Sequence, residues 1–161
     1  MSVAMRDLGR DTDGTALVEG AVLIPLLFVL VFGVLEFSWI AGQRHVMIEG
    51  VREAARYIAQ SGNPNNETVQ ESAKLLAISG ETDGNESRIS GWTTHTVKIS
   101  YTSVSNPVDG TGLSALRGGP VLQDVTVSTA LQVPSLGFFS ILGLSPPTVT
   151  VSHSERVIGS D

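Results

Sequence analysis

The sequence predicts an α+β chain. A long N-terminal transmembrane helix continues into a head domain with a short second helix and a small antiparallel sheet. Three observations carry this. An uncharged apolar run fills residues 21–35. A one-sided stripe at helical spacing follows it, and three segments with period two close the chain.

The run reads AVLIPLLFVLVFGVL and holds no charge. At about 1.5 Å per residue it spans roughly 22 Å, short of the roughly 30 Å hydrocarbon core. Continued past Glu36 to Ala41 it reaches about 31 Å, enough to cross. Glu36 then sits towards one end, where a buried carboxylate is least costly. Trp39 falls near the same end, as an interfacial aromatic does. A cleaved secretory signal fits poorly, because Arg6 and Arg10 are mixed with Asp7, Asp11 and Asp13 and no small-residue site follows the run. A buried core helix fits less well, because apolar residues cover the whole circumference. The remaining reading is a membrane anchor, bordered by inner-membrane lipid. Arginines flank both ends, so charge alone does not orient it. The short N-terminus and large Ser- and Thr-rich remainder favour export of the C-terminal part.

Beyond Gly42, Ile48, Val51, Ala55 and Ile58 form an apolar stripe. Glu49 with Arg52, and Glu53 with Arg56, are expected i,i+3 pairs, on a face either solvated or in contact with another subunit. Gly62 and Pro64 end the pattern. One helix is therefore expected over 15–60, roughly 68 Å long, with Pro25 and Gly33 as points of kinking or loosening. Thr68-Val69-Gln70-Glu71 reads as a capping box opening a second helix that Gly80 stops. Residues 80–92 are polar and read as a loop. The first strand alternates His95, Val97, Ile99 and Tyr101 with polar residues. The second places Val121, Val125, Val127, Leu131 and Val133 on one face, and the third Val149 and Val151. Residues 134–147 are apolar enough for a short helix or a membrane-proximal loop.

Composition excludes several functions. The net charge is -6, from 10 Lys+Arg against 16 Asp+Glu, and no basic cluster is present, so nucleic acid is not a partner. Cysteine is absent, which removes disulfides, thiol catalysis and Cys-based metal sites. His45, His95 and His153 lack metal-ligand spacing; His153 with Glu155 is a weak cation site on one strand face. There is no nucleophile elbow, phosphate loop or dinucleotide fingerprint. Asp83-Gly84-Asn85 and Asp109-Gly110 read as turns. The expectation is no enzyme, no cofactor and no metal.

The sharpest local signal is Asp13-Gly14-Thr15-Ala16-Leu17-Val18-Glu19, just ahead of the apolar run. It is followed by Pro25, by Phe32-Gly33-Val34-Leu35-Glu36-Phe37 and by Val51-Arg52-Glu53-Ala54-Ala55-Arg56-Tyr57. Over about residues 14–59 this resembles the TadE-like family, the minor pilin-like proteins of Tad (Flp) type IV pilus systems. One departure is Gly20, where the family usually carries Phe, Tyr or another bulky residue. The resemblance implies cleavage between Gly14 and Thr15 by a membrane-bound prepilin peptidase on the cytoplasmic side. Glu19 becomes the fifth residue of the mature chain.

The implied organisation is a leader (1–14), a long helix (15–60) spanning the membrane to about residue 41, and an extracytoplasmic head (61–161). The implied partners are other pilin or pilin-like subunits and the Tad assembly platform. The place is the bacterial inner membrane, with the head periplasmic, or a surface pilus engaged in adhesion. Glu19 has a physical rationale as a register residue. A carboxylate in an apolar helix persists where a cation pairs with it, and the α-ammonium freed at Thr15 of a neighbour is such a cation. Two alternatives stand beside this. Glu19 lies simply at the membrane interface, or the chain is an uncleaved, membrane-tethered binding or scaffold module that never polymerises.

Overall fold

The computed structural model describes residues 12–157 except 115, 117 and 118. In chain order come α1 (Thr12–Gln60), α2 (Glu67–Ser79), a 3-10 turn (Thr94–Thr96), β1 (Val97–Ser105), β2 (Val121–Gln132), the single-turn α3 (Phe138–Ile141) and β3 (Thr148–Arg156). Contacts divide the chain into two compact units, Met1–Ser38 and Trp39–Asp161. The predicted α+β class, with its long apolar helix, short second helix and three-stranded antiparallel sheet, is what is found.

The first unit, in its described part, is α1 up to Ser38. Its apolar side chains, from Leu17 at 75% exposure to Phe37 at 67%, point outward on every side. Pro25 stays inside the helix. Phe28 and Phe32, four residues apart, stack with ring centroids 6.0 Å apart. This all-round apolar surface is long enough to cross a membrane, and none of it is buried among the described residues.

In the second unit the helix becomes one-sided. Met47, Val51, Ala54, Ala55 and Ile58 are buried while Arg52, Glu53 and Arg56 face out. The buried set joins Ala73 and Ala77 of α2 and Val97, Val125, Val127 and Val151 of the sheet in one hydrophobic core. The sheet order is β1-β2-β3, antiparallel throughout. Its inward rows are Val97–Thr129–Val151, Ile99–Val127–His153 and Tyr101–Val125–Glu155. The period of two seen in the sequence is this inward alternation.

The polar loop between α2 and β1 contributes more than its composition suggests. It delivers Ile89 and Trp92 into the core, Trp92 at 1% exposure. The Trp92 indole Nε1 donates to Thr129 Oγ1 at 3.1 Å, which gives the buried polar side chain of β2 a partner. Arg88 Nη2 donates to the Ala77 carbonyl at 2.9 Å, binding the loop to the end of α2.

Several expectations are corrected. The α2 cap is Asn66, whose side chain accepts from Thr68 N at 2.8 Å, so the helix starts at Glu67 rather than behind a Thr68 cap. Asn wins because it sits where the backbone is still extended, the conformation a capping residue needs. Residues 94–96 form a 3-10 turn rather than the start of β1, since Thr96 N bonds back to Thr93 O at 3.0 Å. Val121 is 60% exposed rather than inward-covered. The Tyr101 hydroxyl donates to the Pro64 carbonyl, which marks where α1 has ended over the sheet. Val121 pairs with Ser105, two inward rows beyond that point, where no helix remains to cover it. The expected i,i+3 pairs on α1 give way to other partners: Glu49 meets His45 at 3.1 Å, Glu53 meets Arg88 at 3.8 Å, and Arg56 meets Glu155 at 3.6 Å.

Gly50 permits the tightest approach in the head. A Cβ there falls 2.1 Å from the Ala77 carbonyl oxygen and 2.9 Å from Trp92 Cη2. Neither the α2 backbone nor a locked indole yields easily. Gly50→Ala is therefore expected to destabilise the head by about 2 kcal/mol or more, despite the higher helix propensity of Ala. Gly42, helical with open space around it, provides the contrast: Gly42→Ala should be neutral or stabilise by up to about 1 kcal/mol. Thermal unfolding of the two variants checks this, and equal melting would refute the close-approach account.

Candidate assembly segment

Gly14, Thr15 and Glu19 all lie in α1 and are all exposed. Gly14 has nothing within 4 Å of the position a Cβ would take. Thr15 and Glu19 are four residues apart, which places them on one helix face a turn from each other. Leu17 and Val18 between them are among the most exposed apolar side chains of the chain. The structure thus brings the three sequence-predicted residues together on an accessible stretch that leads directly into the apolar helix. The leader residues 1–11 lie outside the described residues.

Two carboxylates flank the apolar run, and they differ. Glu19 is exposed, whereas Glu36 is 1% exposed. The sequence placed Glu36 towards the end of the span. Its closure from solvent was not legible there.

At Trp39 the indole Nε1 donates to the Pro134 carbonyl at 2.9 Å. Trp39 is therefore the first residue of the head unit as well as the expected interfacial aromatic, and it ties α1 to the loop leading into α3. Ile40, one residue on, is buried in the head core.

The charged face of α1 is partly engaged inside the head. Glu53 and Arg56 find partners in Arg88 and Glu155, while Arg52 is exposed. Exposed pairs of this kind contribute roughly 0–1 kcal/mol each. His153 and Glu155, considered as a weak cation site, lie on the inward face of β3. There His153 Nε2 and Glu155 Oε1 are 2.9 Å apart, and Arg56 supplies the neighbouring cation. Among the described residues, no three His, Asp or Glu side chains gather as a metal-binding group.

The two acidic turns are built as turns. Asp109 Oδ1 accepts from Thr111 N at 2.8 Å, from the Thr111 hydroxyl and from Leu113 N at 3.2 Å. These bonds, the Thr111 hydroxyl first, hold its carboxyl below the usual carboxylate range. Tyr101 moves the other way: burial pushes its phenol up, against a smaller opposing effect of its bond with Gln70. Both groups serve the head's architecture.

Residues 14–56 match the family model described as TadE-like protein. The match starts at Gly14, runs through Glu19, Glu36 and Gly50, and stops before α1 ends. Neither a curated protein nor a solved structure matches the chain.

Proposed function

We propose, from the TadE-like segment at residues 14–56, that this chain is a minor pilin-like subunit for Tad pilus biogenesis. The family match indicates a role alongside other pilus components. The long apolar helix is compatible with a single-pass membrane anchor. The observation that carries the proposal is the coincidence of these two. The matched segment begins at Gly14 and covers a helix whose apolar side chains are exposed all round.

In this reading prepilin peptidase cuts between Gly14 and Thr15 on the cytoplasmic side, and the head lies outside the cytoplasm. The freed ammonium at one subunit's residue 15, or its equivalent in a partner pilin, meets Glu19 of the next. The pairing is strong because the surroundings exclude water: the Coulomb attraction between unit charges rises steeply as the effective dielectric falls. It also discriminates. A subunit displaced along the bundle axis by one helical turn, about 5.4 Å, leaves both charges unpaired in an apolar environment. Glu19 thereby sets axial register, and the apolar side chains around it supply contact without register. The head, held together by its own core, is presented by the helix.

Gly14→Arg blocks close approach of the peptidase to the cut site. The variant is expected to keep a precursor about fourteen residues longer than the processed wild-type chain, counted from the cut after Gly14. Intact-mass measurement of membrane-extracted protein reads this, and equal masses for wild type and variant contradict cleavage there. Glu19→Ala removes the register charge and leaves the cut site in place. It should be processed to the same N-terminus as wild type yet support few pili by electron microscopy. Normal piliation by that variant contradicts the register role.

A further inference from the structure

The loop from Val133 to β3 carries four exposed apolar side chains, Leu136, Ile141, Leu142 and Leu144, with Ile141 80% exposed. A turn that presents such side chains to water gains nothing from them in the folded head. Its backbone, by contrast, is closed on itself. The N–H groups of Ile141, Leu142, Gly143 and Leu144 donate to the carbonyls of Gly137, Phe138, Ser140 and Phe139 respectively, at 2.8–3.3 Å. Gly143 takes a positive φ of 70° to complete the turn. Satisfied backbone groups under protruding apolar side chains are what a segment needs to enter the edge of a bilayer, because unpaired N–H groups there are costly. The segment also carries no Asp, Glu, Lys or Arg anywhere between Asp124 and Glu155.

Its position in the head names the occupant. Pro134, at the base of this loop, accepts the Trp39 indole hydrogen bond. Trp39 follows directly on the exposed apolar stretch. Counted from Ala21, where the uncharged run begins, Trp39 lies about 27 Å along the helix, at the far edge of the roughly 30 Å hydrocarbon core where it meets the headgroup layer. An indole in that layer is at its preferred depth. The loop hydrogen-bonded to it is at the same membrane surface.

We infer that the loop at residues 134–144 is a second membrane contact, inserting Leu136, Ile141, Leu142 and Leu144 into the interfacial layer of a lipid bilayer beside the point where α1 leaves it. The inference rests on the anchor reading of α1 and extends it. The unassembled subunit is then held at two points, the span and the loop. The loop leaves the lipid when the subunit is extracted.

The absence of cysteine makes the test direct, since one introduced thiol labels at one place. Full-length Ile141→Cys and Leu144→Cys carry an environment-sensitive fluorophore in vesicles of phosphatidylethanolamine and phosphatidylglycerol. Val29→Cys reports the apolar run, and Ser103→Cys, on exposed β1, reports the aqueous head. Labels at 141 and 144 should be quenched by nitroxide-bearing lipids and lose most of their quenching by iodide, as at 29 and unlike 103. If 29 behaves as lipid-embedded while 141 and 144 behave like 103, the loop contact is refuted and the anchor stands. If 29 is also quenched by iodide, the anchor reading fails and takes the loop contact with it. Shielding of 141 and 144 from iodide without quenching by nitroxide lipids would overturn the lipid assignment in favour of a protein surface, such as a second copy.

Discussion

A helix with apolar side chains on every side, left open to solvent by the described residues, is the constraint that organises this protein. Water does not tolerate such a surface over the length of residues 17–37. Something must cover it, and the candidates are lipid and neighbouring helices. In the proposed function the helix meets both in turn, first in the membrane and then in the fibre. The same constraint makes Glu19 informative. A carboxylate at the entry to such a helix either stays at the boundary or acquires a cation, and a processed amino terminus is a cation at the right height on a neighbouring chain.

The head is held together by contacts of its own. Its core closes from Ile40 onward, using the one-sided half of α1, α2, the sheet and the Trp92 plug. Gly50 lets α1 approach the end of α2 until backbone and indole fill the gap. Trp39, the first residue of the head unit, is fastened to the base of the 134–144 loop. Each of these contacts lies within the second compact unit, so the exposed half of α1 can exchange its surroundings while the head keeps its own packing.

What the sequence revealed and what it hid divide along physical lines. The apolar run, the stripe from Ile48 to Ile58 and the alternation around Val127 were legible, because each follows from local periodicity. The residues proposed for processing and register, Gly14, Thr15 and Glu19, were legible as a pattern; their exposure in one helix was added by the structure. Features set by distant contacts were not legible. Trp92 sits in a segment whose composition says loop, and only the proximity of Thr129 and Gly50 makes it a core residue. Glu53 and Arg56 are spaced for each other, yet Arg88 and Glu155 lie closer in space. Val121 fits the inward alternation, but the helix above it has already ended. Glu36, placed by the sequence towards one end of a span, is closed from solvent, which no local pattern reveals.

The account turns on a contact between the Glu19 carboxylate and a liberated amino terminus. An apolar carbodiimide applied to assembled pili converts a carboxylate and an adjoining amine into an amide, with no spacer between them. Peptide mass spectrometry of the product should then recover Glu19 joined to the N-terminal residue of an adjacent subunit. Assembled material in which Glu19 stays unlinked, while its chain still begins at Met1, would contradict the account.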